Sequence, residues 1–420
     1  MTLVGRRVVL AYSGGLDTTV ILHWLKASGA EVIAFMLDIG QEVEDLDQVA
    51  SRARLNGAAE TVVVDARDEF LRDYFLPCLQ GHCQYEGRYL LGTAIARPLI
   101  ARHQVAVARR FEADTLSHGA TGKGNDQVRF ELGYQALDAA LETFAPWKDA
   151  TFIAAFGEGR RSMLRYVEEH GLDVKASAEK PWSTDDNLLH ISYEAGLLED
   201  PWASAPREIY ERMVHPLDAP DEAERFVIEW REGVPVGLYT AAGDEPGEPL
   251  AEGLRAVFEA IDKAAAHHGV GALGMVETRY VGMKSRGEYH APGHTVLLEA
   301  HRDLEGLCLP GSLLLERDRR MPDFAALVYN GYWFDPACAA HRTFIAETQR
   351  HVTGQTRVAL YKGNVMVEGR RSPTSLYDAD VATMDGEGES YRQEDARGFI
   401  RLHGLPLRVL RRVQGPPRGA

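Results

Sequence analysis

The sequence predicts an α/β fold: a doubly wound parallel sheet over residues 1–170, a mixed α+β region over 171–385 and a tail over 386–420. Two observations carry this prediction. Strand-like runs begin near residues 6, 31 and 60 with helix-like runs between them, the spacing of βαβ units. That rhythm stops at Gly171–Ser183 (GLDVKASAEKPWS), which reads as an interdomain link.

Taken in order, Arg6–Tyr12 (RRVVLAY) is an apolar run of strand length, and Asp17–Ser28 is a helical pattern closed by Gly29. Glu31–Leu37 is the second strand, Val43–Asn56 the next helix and Thr61–Val64 the third strand. Helical patterns over Glu69–Leu79 and Arg97–Glu112 lead to a fourth strand at Thr115–Ser117. Beyond the link, Val227–Trp230, Met275–Tyr280 and Thr295–Glu299 read as strands and Leu254–His268 as a helix ended by Gly269. Arg357–Tyr361 and Val365–Glu368 flank Lys362-Gly363-Asn364 as a hairpin. The last stretch is basic with apolar positions, and its end, Gly415–Ala420, is expected to fray.

Composition narrows the class. Of 420 residues, 45% are hydrophobic and 26% charged, as in ordinary globular proteins. Lys and Arg total 46 against 62 Asp and Glu, a formal charge of −16, which argues against a nucleic acid as main partner. No run approaches 18 apolar residues, so no membrane span is expected, and Val8–Tyr12 is too short for a signal peptide. Four cysteines are too sparse for a disulfide scaffold, and a cytoplasmic location is expected. Cys78, His82 and Cys83 lack a fourth ligand at zinc spacing, and Pro292 and Gly293 separate His290 from His294, so no metal site is assigned.

Two loops carry the chemistry. Ser13-Gly14-Gly15-Leu16-Asp17-Thr18-Thr19 joins the first strand to the first helix. Paired glycines let backbone N–H groups converge, and a helix N-terminus adds positive charge, a cradle for anions. A tight turn with Asp17 as N-cap is the structural alternative. No Gly-Lys-Ser/Thr follows, so this is not a Walker A loop. The second loop, Ser117–Glu131 (SHGATGKGNDQVRFE), follows the fourth strand. Its glycines permit close approach, Lys123 and Arg129 supply positive charge, and Thr121, Asn125 and Asp126 supply directional polar groups. Such a mixture suits a phosphate beside a zwitterion.

The Ser-Gly-Gly-x-Asp loop resembles the pyrophosphate loop of the ATP pyrophosphatase group, adenine nucleotide α-hydrolase-like proteins that split ATP into AMP and pyrophosphate. More specifically, AYSGGLDTT (11–19), YLLGTAIARP (89–98), SHGATGKGNDQVRFE (117–131) and PWSTDDNLLHISYE (181–194) resemble argininosuccinate synthases. So do HGVG (268–271), ETRYVGMKSRG (277–287), LYKGNV (361–365) and SPTSLY (372–377), in the family's order.

The resemblance implies a nucleotide-binding first domain, a synthetase domain and a C-terminal oligomerisation tail. It implies ATP-driven joining of L-citrulline to L-aspartate through a citrullyl-adenylate, with Mg2+ accompanying ATP, in a homotetramer. ATP contacts would come from Ala11, Tyr12, Ser13, Gly14, Gly15, Leu16, Asp17, Thr18, Thr19, Leu37 and Gly119. Aspartate would meet Thr121, Asn125 and Asp126. Citrulline would meet Tyr89, Ala94, Asn125, Arg129, Ser183, Ser192, Glu277 and Tyr289. Arg129 suits a carboxylate and Glu277 an α-ammonium. Asp17, Lys123, Asp126 and Arg129 are the candidate catalytic groups, Lys123 by neutralising phosphate charge. Ala94 stands where the family usually has serine, Thr278 and Tyr280 replace Asn and Phe, and His290 replaces Glu or Thr. Pro406 interrupts the family's C-terminal helix, which reaches other subunits.

Rival readings fare worse. An enzyme that thiolates tRNA would want paired cysteines and a basic surface, and a glutamine-dependent amidotransferase a glutaminase domain ahead of the first strand. A non-catalytic nucleotide binder has no use for the polar set from Tyr89 to Tyr289.

Overall fold

The computed structural model describes residues 3–41, 45–174, 182–383, 391–417 and 419. Most of the expected link, and Val43 at the start of the second expected helix, fall outside the described residues.

The first half runs β1 (Arg7–Ala11), α1 (Leu16–Ala27), β2 (Glu31–Asp38), α2 (Leu46–Leu55), β3 (Glu60–Asp65), α3 (Arg67–Glu69), a π-helical stretch (Phe70–Phe75), α4 (Leu76–Gln80), α5 (Gly92–Arg110), β4 (Thr115–Ser117), α6 (Asp126–Leu137), β5 (Glu142–Phe144), α7 (Ala150–Phe156) and α8 (Arg160–His170). The five strands form one parallel sheet in the order β3-β2-β1-β4-β5. The strand order reverses between β1 and β4, the switch point where ligands bind in open α/β sheets. Alternation along the strands supplies both faces. Val9, Ile33, Phe35 and Leu37 join one apolar cluster, whereas Val8, Leu10, Val32, Ala34 and Met36 join another. Both faces are thereby covered, which is why these strands read as continuous apolar runs.

The second half holds two antiparallel sheets. The smaller has the order β11-β12-β7-β6, from β6 (Ser183–Asn187), β7 (His190–Glu194), β11 (Ala272–Thr278) and β12 (Lys284–His290). The larger has the order β10-β9-β8-β13-β14, from β8 (Glu224–Arg231), β9 (Val234–Ala242), β10 (Glu245–Glu252), β13 (Gly354–Tyr361) and β14 (Asn364–Arg371). Helices α9 (Leu254–His267), α10 (Pro292–Cys308), α11 (Gly311–Tyr329) and α12 (Pro336–Thr348) complete it. One buried cluster contains Phe35 and Leu116 from the first half with Phe258, Val296 and Ile228 from the second, so both halves belong to one compact unit, Met1–Pro373.

One expected strand is corrected. Thr295–Glu299 lies inside α10, because Pro292 and Gly293 open that helix and the buried residues Val296, Leu297, Ala300 and Leu304 follow helical spacing. His290 closes β12 and His294 lies in the first turn of α10, so the proline and glycine do separate them.

The second unit, Thr374–Ala420, contains α13 (Ala379–Ala382), α14 (Gln393–His403) and α15 (Leu405–Gln414). The expected interruption falls at Gly404, and Pro406 sits in the first turn of α15, where its missing N–H costs little. Neither helix has a buried residue, and Phe399, Ile400, Leu402, Leu407, Leu410 and Val413 are exposed.

Candidate active site

At the end of β1 the chain must turn sharply into α1. Tyr12 N–H donates to Phe35 O at 2.8 Å and its hydroxyl lies 2.9 Å from Thr19 Oγ1, which anchors the turn to β2 and to the helix. Gly14 adopts φ +77°, and a β-carbon there would lie 2.7 Å from Val49 Cγ1. Gly15, with no side chain, occupies the N-cap, so the capping alternative for Asp17 is corrected: its carboxylate lies inside the first turn. No N-cap side chain occupies the start of α1, although the Asp17 carboxylate meets its own backbone N–H. Burial pushes the Asp17 carboxyl above its ordinary range, with Arg160 opposing. Ser13 N and Oγ lie 3.3 and 3.1 Å from Thr18 Oγ1. Leu37, buried, is the penultimate residue of β2.

The second loop leaves β4, the strand next to β1. A β-carbon on Gly119 would lie 3.1 Å from Thr18 Cγ2, so the two loops touch at the switch point. Gln127 Nε2 donates to Gly122 O at 2.5 Å and Gly124 O at 3.1 Å, closing the glycine turn and leaving Thr121 and Lys123 exposed. Asn125 is buried, donating to the Tyr329 hydroxyl and accepting from Tyr280 N–H. Asp126 opens α6 and is held from two sides, by Arg97 Nη2 at 2.8 Å and Arg129 Nη1 at 2.8 Å. Burial pushes its carboxyl up, but the two guanidinium groups outweigh that and hold it down at about 2. Arg97 Nη2 also reaches Asp185 at 2.6 Å.

The third wall is one face of the smaller sheet. Cross-strand partners share a face, and the register pairs Ser183 with Glu194, Asp185 with Ser192, Ser192 with Tyr289, and Glu277 with Ser285. Period-two alternation places all of these on the same side. Gly287 belongs to that face, where a β-carbon would lie 2.5 Å from the Tyr289 hydroxyl, so the glycine makes room for the ring. Glu277 is 6% exposed; its Oε1 accepts from the Tyr329 hydroxyl at 2.8 Å. Its Oε2 meets no donor in hydrogen-bonding geometry among the described residues, although the Tyr289 hydroxyl is near enough to favour the charged form. Burial nonetheless raises its pKa. A buried carboxylate with one open oxygen calls for a cation.

These walls enclose a cavity of about 590 Å³ lined by Tyr89, Thr121, Lys123, Asn125, Asp126 and Arg129 from the first half. Ser183, Ser192, Glu277 and Tyr289 line it from the second. Every expected amino-acid contact therefore lies together except Ala94. That residue is fully buried in the apolar core. The reason is helical geometry: Thr93 and Arg97, four apart on α5, face the site, and position 94 is turned away by about 100°. Thr93 lines the cavity and its hydroxyl lies 2.9 Å from His190 Nε2. A larger opening of about 1240 Å³ lies elsewhere, and no expected site residue lines it.

Sequence reasoning missed Thr93, Arg97, Glu194, Arg279 and Tyr329. Thr93, Arg97, Glu194 and Arg279 lie within the recognised motifs and were legible there; Tyr329, at the end of α11, carried no local signal.

His82, set aside as a zinc ligand, lies in a buried cluster with His301 and Glu305. His82 Nε2 is 3.0 Å from both His301 Nδ1 and Glu305 Oε2, and Arg317 Nη1 reaches both Glu305 oxygens at 2.8 and 2.7 Å. His301 Nε2 donates to Gln349 Oε1 at 2.8 Å, and Arg302 donates to His82 Nδ1 at 3.1 Å. With His82 Nδ1 accepting, its Nε2 carries the proton, so these donors satisfy one another as a hydrogen-bond network.

A parallel α/β domain with an anion cradle at its switch point, abutting a cavity with a fixed carboxylate, an open carboxylate and a guanidinium, defines a nucleotide-dependent enzyme for small zwitterionic substrates. Comparison with known proteins makes this specific. Residues 7–173 match the family described as arginosuccinate synthase N-terminal HUP domain, and residues 182–410 its C-terminal domain. The chain is 47% identical over 404 residues to the argininosuccinate synthase of Thermotoga sp. (strain RQ2), covering 96% of this chain and 97% of that one. It is 47% identical over 405 residues to that of Syntrophus aciditrophicus, covering 96% and 98%. The chain belongs to the argininosuccinate synthase family.

Proposed function

We propose that this chain joins L-citrulline to L-aspartate with ATP, giving argininosuccinate, AMP and pyrophosphate in arginine biosynthesis. The observation that carries this reading is the convergence of Arg129, Glu277, Asn125 and Asp126 on one cavity beside the loop cradle. A ureido oxygen is a poor leaving group. Citrulline oxygen attacks the α-phosphate, pyrophosphate departs, and the aspartate amine then displaces AMP from the adenylated carbon. Positioning and charge stabilisation supply most of the acceleration.

In this reading Ala11–Thr19, Leu37 and Gly119 hold ATP, the first loop acting as a pyrophosphate loop. Arg129 takes the citrulline carboxylate and the open oxygen of Glu277 its ammonium, with Tyr89, Ser183, Ser192 and Tyr289 around it. Thr93 takes the place assigned to Ala94 on the cavity wall. Thr121, Asn125 and Asp126 receive aspartate, and Lys123 neutralises phosphate charge. Asp17, the loop's carboxylate, would be the oxygen donor to a magnesium ion accompanying ATP, which would supply charge neutralisation on the phosphates. The working division is 1–170 for ATP, 171–385 for synthesis and 386–420 for assembly. The uncovered apolar residues of α14 and α15 support a homotetramer. Among the described residues no helix is long and apolar enough to cross a membrane, and the charge of −16 favours small-molecule partners over nucleic acid, in keeping with a cytoplasmic enzyme.

Incubation with ATP, citrulline and aspartate tests the reading: sustained pyrophosphate release, beyond one equivalent per active site, should require both amino acids. Sustained release that ignores either one overturns it.

A further inference from the structure

The proposed reaction needs a proton acceptor. The aspartate nitrogen enters as an ammonium with three protons and ends in the guanidinium with one, so two protons must leave it. Among the described residues, four carboxylates line the cavity: Asp126, Glu194, Glu199 and Glu277. Asp126 is bound by two guanidinium groups, a weak base suited to holding the ammonium. Glu277 is engaged by Tyr329 and lies with Tyr89 and Arg129 at the citrulline end. Glu199 is exposed on a short turn, Gly196–Glu199, outside the strands that carry the cavity face. Glu194 remains.

Its placement suits the task. The register sets it opposite Ser183 on the cavity face of the smaller sheet. Its carboxylate pairs with Arg279, whose other nitrogen reaches the carbonyl of Lys123 in the second loop at 3.4 Å. The next residue, Tyr280, donates its N–H to Asn125 Oδ1 at 2.9 Å. Glu194 is thus tied through Arg279 to the loop that carries Thr121, Asn125 and Asp126, while its side chain stays 42% exposed to the cavity.

We propose, resting on the reading above, that Glu194 accepts the proton that frees the aspartate amine for attack. One N–H proton passes to a Glu194 oxygen, and the nitrogen lone pair forms the C–N bond to the adenylated carbon. The C–O bond breaks with its electron pair leaving on AMP, and the second proton goes to the departing phosphate. Glu194 then returns its proton to solvent. Burial raises this carboxyl above the ordinary glutamate range; Arg279 opposes, while Asp126, Glu277 and Asp185 add to the rise. A base displaced upward is better matched to neutral pH.

Glu194→Gln keeps the shape and a polar contact to Arg279 but cannot take a proton. Argininosuccinate formation should fall about 10²- to 10⁴-fold. Citrulline-dependent exchange of pyrophosphate into ATP, which needs no aspartate, should persist, and the acid limb of the kcat–pH profile should disappear. Glu194→Asp should recover part of the rate. Normal synthesis by Glu194→Gln, or equal loss of exchange and synthesis, overturns the proposal. Absence of citrulline-dependent exchange in the unmodified protein would instead overturn the function itself.

Discussion

Replacing Arg97 with Met removes the one cation that Asp126 and Asp185 share. Arg97 is 13% exposed, and its Nη2 lies 2.8 Å from Asp126 and 2.6 Å from Asp185. Without it, two carboxylates about 5 Å apart at an effective dielectric of about 20 repel by about 3 kcal/mol. Since both are more than a quarter exposed, water screens part of this, and about 2–3 kcal/mol is expected. If that cost falls on the aspartate end of the site, kcat/KM for aspartate should drop about 30- to 150-fold. Citrulline-dependent pyrophosphate exchange should change much less. The acid limb of stability reports independently. Because the folded Asp126 carboxyl is held at about 2, below its ordinary value of about 3.9, its contribution is complete above about pH 4 and is lost as pH falls toward 2. Urea unfolding of Arg97→Met across that window should show a smaller loss than the unmodified chain. An unchanged KM and kcat for aspartate would refute the reasoning, as would equal damage to exchange and synthesis.

Gly14→Val should abolish pyrophosphate release while the far-UV circular dichroism of a folded chain persists, because the new side chain meets Val49 at a positive φ within the loop between β1 and α1; normal turnover would place the phosphates elsewhere. Glu305→Gln should cost about 3–5 kcal/mol in urea unfolding, since Arg317, 1% exposed, loses its carboxylate. Burial holds His82 at about 4, below its ordinary value of about 6.5, despite the opposing Glu305. The unmodified chain should therefore lose stability as pH falls from about 6.5 to 4, and a flat profile there would refute the assignment.

The βαβ half was legible because its central strands β1 and β2 are buried on both faces and because Gly29 and Gly57 follow the ends of α1 and α2. The second half was harder. Thr295–Glu299 is a short apolar run, which periodicity alone cannot assign, and only the proline and glycine before it mark a helix start. The fifth helix begins at Gly92 rather than Arg97, with Pro98 in its interior, and this shift turns Thr93 and Arg97 toward the site and Ala94 into the core. Most site residues inside motifs were found, although Thr93, Arg97, Glu194 and Arg279 there were passed over; Tyr329, whose hydroxyl joins Asn125 to Glu277, depends on a contact between distant segments that no local pattern encodes.

The face shared by Ser183, Ser192, Glu194, Glu277 and Tyr289 makes this enzyme intolerant of length change in a way that point substitution is not. One residue inserted within β12 would invert the sidedness of everything beyond it, carrying Tyr289 out of the cavity while altering no side chain's identity. Natural insertions and deletions should therefore gather in connections remote from the site, such as the turn between Ala242 and Glu245, and be absent from the strands themselves.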